Sequence, residues 1–157
     1  MDSDNITVTD VLKKAILREI ESQQMYQNLA YRVVQDAARY AFNILFRQEQ
    51  EHQQILEKYL NGGLTRGSLN IGQVIDYHIA DALDQPEITP EMPLPEIFLL
   101  AANREKKSHE FYLALAGIHP PGESRSLLEK LASEELGHKL KVERMYTEVA
   151  FPQTDGG

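Results

Sequence analysis

Glu49 and His52 stand three residues apart in an apolar-periodic stretch that runs from about Ala37 to Leu60. On a helix, positions i and i+3 share a face, so this carboxylate and this imidazole point the same way. A Glu-x-x-His pair aimed into a helix bundle is half of a dinuclear carboxylate metal site. A second pair, Glu135 and His138, follows 86 residues later. At the same offset Glu19 is matched by Glu105, and Tyr26 by Tyr112. Apolar positions follow suit: Leu12 with Phe98, Leu45 with Leu131, Leu56 with Val142. The chain therefore reads as two copies of one helix pair, each supplying Glu, Glu and His; such a repeat fixes the architecture.

Four carboxylates in a dry core repel one another and resist desolvation, so they need protons or cations. No lysine or arginine lies on the inner positions to answer them. Two divalent metals would balance four negative charges. Each metal would take one histidine and one terminal glutamate, with two glutamates bridging, and Glu19 and Glu105 are the solitary acids of the pattern. A mixed oxygen and nitrogen set favours iron or manganese in a redox role, although zinc binds such ligands too. Tyr26 and Tyr112 lie two turns beyond Glu19 and Glu105 on the same faces, placed to hydrogen-bond a ligand carboxylate from outside. His78 in the crossover, His109 one residue off the inner stripe and His119 in a turn are poor ligand candidates. Glu51, Glu110 and Glu134 read as solvent-facing.

The elements that would position these residues are four long helices. Thr7 can cap the first, with Asp10 as its box partner and Thr9 as an alternative cap. Its buried stripe holds Val8, Leu12, Ala15, Ile16, Glu19, Tyr26, Ala30 and Val33. A break at Gln35 and Asp36, with Asp36 as N-cap, starts the second helix, whose inner side carries Ala38, Ala41, Leu45, Glu49, His52, Leu56 and Tyr59. Asn61-Gly62-Gly63 ends it. Pro95 suits the first turn of the third helix, with Phe98, Ala101, Ala102, Glu105, Tyr112 and Leu115 inside. Gly117 to Gly122 form a short turn, and the fourth helix runs from Glu123 or Ser124 to Val149.

Residues 64–94 form one long crossover, with a minor helix at about Ile71 to Leu83 and no strand. Two tight turns and one long crossover predict an all-α four-helix bundle, up-down-down-up. Residues 1–157 are expected to form a single domain with its core at about 9–150, a loose segment 1–6 and a frayed tail 151–157.

Composition narrows the function classes. The formal net charge of -8 argues against a nucleic-acid surface, which is normally basic. With no cysteine, disulfides, iron–sulfur clusters, thiolate zinc sites and cysteine nucleophiles are excluded. The apolar run Ile97 to Ala102 is far too short to span a bilayer. Met1-Asp2-Ser3-Asp4 is no signal peptide, so a cytoplasmic protein is the default expectation.

The series Glu19, Glu49-x-x-His52, Glu105, Glu135-x-x-His138, with Tyr26 and Tyr112, resembles the ferritin-like superfamily. Within it, the pattern is similar to the diiron domain of rubrerythrins over about residues 9–150. The resemblance implies two iron ions held by Glu19, Glu49, His52, Glu105, Glu135 and His138. It implies a homodimer or larger assembly, sometimes with exchanged helices. It also implies oxidoreductase chemistry with hydrogen peroxide or dioxygen, in the setting of oxidative stress. Two departures stand out. Rubrerythrins usually carry an extra glutamate one turn after the helix-three ligand, where this chain has Ser108, and the neighbouring His109 points about 100° away around the helix. The rubredoxin domain that often relays electrons needs four cysteines, so the donor here must be external. Ferroxidase or iron-handling chemistry, or a non-enzymatic metal-binding role, are the alternatives.

Overall fold

The computed structural model describes residues 5–64, 67–89 and 91–150. Four helices carry the chain: α1 (Val8–Arg32), α2 (Asp36–Leu60), α3 (Leu94–Gly117) and α4 (Glu123–Met145). A π-helical turn, Tyr146–Ala150, extends α4. Among the described residues no helix is long and apolar enough to cross a membrane. The segments expected to be loose (residues 1–4) and frayed (151–157) lie outside the described residues.

The ends of the helices follow local chemistry. The Asp10 amide donates to Thr7 Oγ1 at 3.1 Å and the Thr7 amide to Asp10 Oδ2 at 3.2 Å, the expected capping box. Thr9 is not the cap; its amide and hydroxyl both donate to the Ile71 carbonyl and tie the crossover to α1. Asp36 was expected to cap α2, but it is the first helical residue, and Gln35 precedes it with no side-chain cap. The turn is held instead by Arg39, whose guanidinium donates to the orphan carbonyls of Ala30 and Val33 at the end of α1. After α2, Gly62 takes a φ of 80°, which favours glycine there.

The crossover differs from expectation. Val74–Asp76 form a short strand, β2, antiparallel to β1 (Asn5–Thr7), with Ile6 opposite Ile75. Residues 5 and 6, expected to be loose, thus have a partner. Ile75 is buried while Val74 and Asp76 are exposed, the alternation of a one-faced strand. A 3-10 helix, Tyr77–Leu83, follows and buries Ala80 and Leu83.

Helix directions follow from cross-bundle contacts. Tyr26 and Glu19 on α1 meet Glu105 and Tyr112 on α3 in reverse order. Glu49 and His52 on α2 meet His138 and Glu135 on α4, again reversed. With α1 antiparallel to both α2 and α3, the bundle is up-down-down-up. Its apolar core falls into two clusters. One is built on Leu12, Leu56, Tyr59, Phe111, Leu115 and Leu128, the other on Leu29, Phe42, Leu45, Phe98 and Val142. The expected stripes hold, with Ile16, Ala41 and Ala102 only half-buried and Phe42 and Ile97 taking inner places.

Candidate metal centre

Between the two apolar clusters lies a layer of six buried polar side chains: Glu19, Glu49, His52, Glu105, Glu135 and His138. None is more than 5% exposed. Each helix contributes at mid-length, because antiparallel helices of similar length bring their centres together. The layer forms two groups whose candidate ligand atoms lie within 4.8 Å of one another: Glu19, Glu49, His52 and Glu135, and Glu49, Glu105, Glu135 and His138. Glu49 and Glu135 belong to both groups. Glu19 and Glu105 each belong to one.

Both imidazoles turn Nδ1 inward. His52 Nδ1 is 2.9 Å from Glu135 Oε1, 3.4 Å from Glu49 Oε2 and 3.7 Å from Glu19 Oε1. His138 Nδ1 is 2.8 Å from Glu49 Oε1, 3.3 Å from Glu135 Oε1 and 3.6 Å from Glu105 Oε2. The rings stack at 5.7 Å between centroids. Both Nε2 atoms face outward. His52 Nε2–H donates to Glu134 at 2.6 Å, and His138 Nε2–H to Gln48 Oε1 at 2.8 Å. An outward Nε2–H leaves Nδ1 as the lone-pair atom of the neutral ring, aimed into the site as a metal ligand requires.

The tyrosines act crosswise. Tyr26 donates to Glu105 Oε1 and Tyr112 to Glu19 Oε1, each at 2.5 Å. Burial first, and then the neighbouring carboxylates, hold both phenols well above their usual pKa, so they remain donors.

Electrostatics show what the layer lacks. Burial and the negative charges of Glu49 and Glu135 push Glu19 well above the carboxylate range; burial and the same two neighbours do so for Glu105. Burial also works against ionised Glu49, but the close polar groups of Glu19, His138 and His52 outweigh it and hold Glu49 well below that range. Burial disfavours charged His138, yet the nearby carboxylates of Glu105, Glu135 and Glu49 push it up to about 12, and His52 is raised for the same kind of reason. Protons on Glu19, Glu105, His52 and His138 thus supply the positive charge that two divalent cations would otherwise bring. Even so, Glu19 Oε2, Glu49 Oε2, Glu105 Oε2 and Glu135 Oε1 stay buried without a hydrogen bond. His52 Nδ1, though near Glu135, is also out of line for one. Unpartnered buried oxygens around one centre are what a cation would satisfy. The residues present therefore fit a pair of divalent metals.

Two readings need correction. Glu134 was expected to face solvent; it is half-buried and holds His52. The inner positions were expected to lack basic residues, but Arg104 is buried. It turns away from the carboxylates, toward Glu21 Oε2 at 3.2 Å and the Arg18 carbonyl. Glu51 and Glu110 are exposed, as expected. His78 pairs with Asp76, His109 Nδ1–H donates to the Ala132 carbonyl, and His119 is buried against Tyr59; none joins the layer. Ser108 is half-buried on α3. Gln48, which holds His138, and the part played by Glu134 were not expected. The signal was present: at the 86-residue offset they occupy one position, each immediately before a shared glutamate.

No protein-family model matches the chain, and no curated protein matches it significantly. Solved structures do. A hypothetical protein from Pyrococcus furiosus superposes with a TM-score of 0.72 at 22% identity, covering 91% of this chain and 90% of that one. A Thermotoga maritima protein, provisionally described as a ferritin-like diiron-carboxylate protein, gives 0.70 at 22% identity, covering 92% and 97%. The fold is ferritin-like. At this identity the likeness speaks for the ferritin-like bundle alone, and the chemistry rests on the residues of this chain.

Proposed function

We propose that this protein is a nonhaem diiron oxidoreductase of rubrerythrin type. It reduces hydrogen peroxide to water with two electrons and two protons, the electrons coming from an external donor. One observation carries the reading: two buried Glu/His groups share Glu49 and Glu135, the arrangement two adjacent divalent ions need. The likeness to a diiron-carboxylate protein supports iron as the metal. Two irons would supply the two electrons and polarise the oxygen–oxygen bond.

The chain's own part is positioning. Glu19 and His52 would hold one ion, Glu105 and His138 the other, and Glu49 and Glu135 would span both. Tyr112 and Tyr26 fix the terminal carboxylates, so that their second oxygens face the site. The apolar clusters on either side keep water from the layer. A homodimeric or larger assembly belongs to the same reading.

Ser108 favours a second reading, a ferroxidase-type centre using dioxygen. A serine cannot offer the extra carboxylate of peroxide-using rubrerythrins. The test has two steps. Metal analysis of protein produced with iron should find close to two ions per chain, and Glu49→Ala or Glu135→Ala should lower that number. Rapid mixing of the diferrous protein with peroxide and with dioxygen then separates the readings. Faster oxidation by peroxide, with turnover on re-reduction, supports the peroxidase. Faster oxidation by dioxygen moves the assignment to ferroxidase. Metal that is lost or inert toward both oxidants would leave a metal-binding protein with no redox role.

A further inference from the structure

The pseudo-twofold relation between the halves holds for all six candidate ligands and both tyrosines, and fails one step behind the histidines. Glu19 corresponds to Glu105, His52 to His138, Glu49 to Glu135 and Tyr112 to Tyr26. The groups behind the imidazoles do not correspond in charge. His52 Nε2–H donates to the carboxylate of Glu134 at 2.6 Å, whereas His138 Nε2–H donates to the neutral amide of Gln48 at 2.8 Å. Each of these acceptors comes from the helix facing its histidine, one residue before a shared glutamate. Lys130 lies one helical turn before Glu134, 3.9 Å from its other oxygen.

Resting on the dinuclear metal reading, we infer that Glu134 and Gln48 make the two metal positions unequal, so that the Glu19–His52 position binds a divalent ion more tightly and fills first. A carboxylate accepting the Nε2 proton pulls that proton outward and increases electron density at Nδ1, which strengthens the bond Nδ1 makes to a metal. The negative charge of Glu134 also lies one imidazole away from that ion and attracts it. An amide oxygen orients the ring equally well but supplies only a dipole. Both effects act in the same direction, and nothing in the matched ligand pairs opposes them. A partner of this kind is worth roughly 10–100-fold in metal affinity. Glu134 and Gln48 are positioning residues: they touch the histidines, not the ions. The consequence is a centre that loads in order, with the His138 position as the more exchangeable one.

The test is a titration of the metal-free protein with cobalt(II) alone, followed by visible absorption and by calorimetry. The wild type should bind two ions in two separable steps. Glu134→Gln, which keeps the shape and removes the charge, should weaken the first step by roughly 10–100-fold and bring the two steps together. Gln48→Glu should tighten the second step toward the first. That gain is a result no merely structural role would produce, and both side chains are partly exposed, so the folds should survive. Two bound ions whose steps are indifferent to both substitutions would overturn the inequality and leave the dinuclear reading standing. No cobalt binding, or binding untouched by Glu49→Ala, would overturn the dinuclear reading and this inference with it.

Discussion

Tyr26 on α1 donates its hydroxyl hydrogen to Glu105 Oε1 on α3 across 2.5 Å, linking the two halves of the bundle through the polar layer. Tyr112 does the same for Glu19 from the other side. Each tyrosine belongs to a different apolar cluster, so each anchors a terminal carboxylate to the packing of one end of the molecule.

Removing that hydroxyl should be felt in two ways. Tyr26→Phe leaves a second oxygen of Glu105 buried without a partner, which costs about 1–3 kcal/mol. Denaturant unfolding of the metal-free variant should show a loss in that range. The effect on metal should be crossed: Tyr26→Phe weakens the Glu105–His138 position, and Tyr112→Phe the Glu19–His52 position. A variant that binds both ions like the wild type would mean that the carboxylates are held by backbone packing alone.

The six candidate ligands were legible because each sits on a buried helical stripe and the two halves repeat them without a gap. A buried face has a period, and a glutamate on that period stands out. Glu134 was not legible in this way. Its partner His52 lies on the facing helix, and which off-stripe residue meets which neighbour depends on how helices pack, which spacing within one helix does not encode. His119 reads as a turn residue, yet it is buried because Tyr59 reaches it from the end of α2. β2 is three residues long and its partner lies far upstream, so no local pattern announces it. Arg104 shows the reverse error: its position next to Glu105 is near the core, but its long side chain carries the charge out to Glu21.

Metal should stabilise the fold, because it satisfies the oxygens that are otherwise unpartnered. At a free metal concentration about 100 times Kd, each bound ion adds about 2.7 kcal/mol. For a chain of this size that corresponds to a rise in Tm of about 5–10 °C per ion. Thermal melts with iron(II) or manganese(II) under anaerobic conditions, and again with a chelator, should differ by at least the one-ion amount. Glu135→Ala should remove most of the difference.

The buried network around His119 should set a pH response of its own. His119 Nδ1–H donates to the Leu115 carbonyl at 2.7 Å, and its Nε2 accepts from the Tyr59 hydroxyl at 2.7 Å. The Tyr59 oxygen in turn accepts from the Leu69 amide at 2.9 Å. Burial lowers the His119 pKa below its ordinary 6.5. As pH falls below 6.5, the unfolded chain takes up this proton before the folded one does. The contribution is therefore whole above about 6.5 and lost as pH falls through the depressed folded value. The raised histidines of the metal layer act in the opposite sense, so the difference between wild type and His119→Gln is the quantity to measure. Denaturation at pH 8 and at pH 5.5 should show the wild type's advantage shrinking at the lower value. An advantage that is constant across this range would mean that His119 does not titrate in it.

The oxidant preference should turn on position 108. Ser108 lies three residues after Glu105 on α3, on the side that a ligand from the next turn would occupy. Serine is short and neutral, and it cannot take over an iron ligand's place when the charge at the centre changes. His109 offers no substitute, because its Nδ1–H is committed to the Ala132 carbonyl at 2.6 Å. Glu110 is exposed and lies on another face of the helix. The set that remains is the symmetric six-residue one, so Ser108→Glu should raise the oxidation rate with peroxide relative to that with dioxygen. Ser108 is only half-buried, so the variant should keep its fold. Rates of the diferrous wild type and variant at equal concentrations of the two oxidants decide the point. A wild type that already prefers peroxide, with no further gain in the variant, would show that the six residues suffice and that the missing carboxylate does not set the preference.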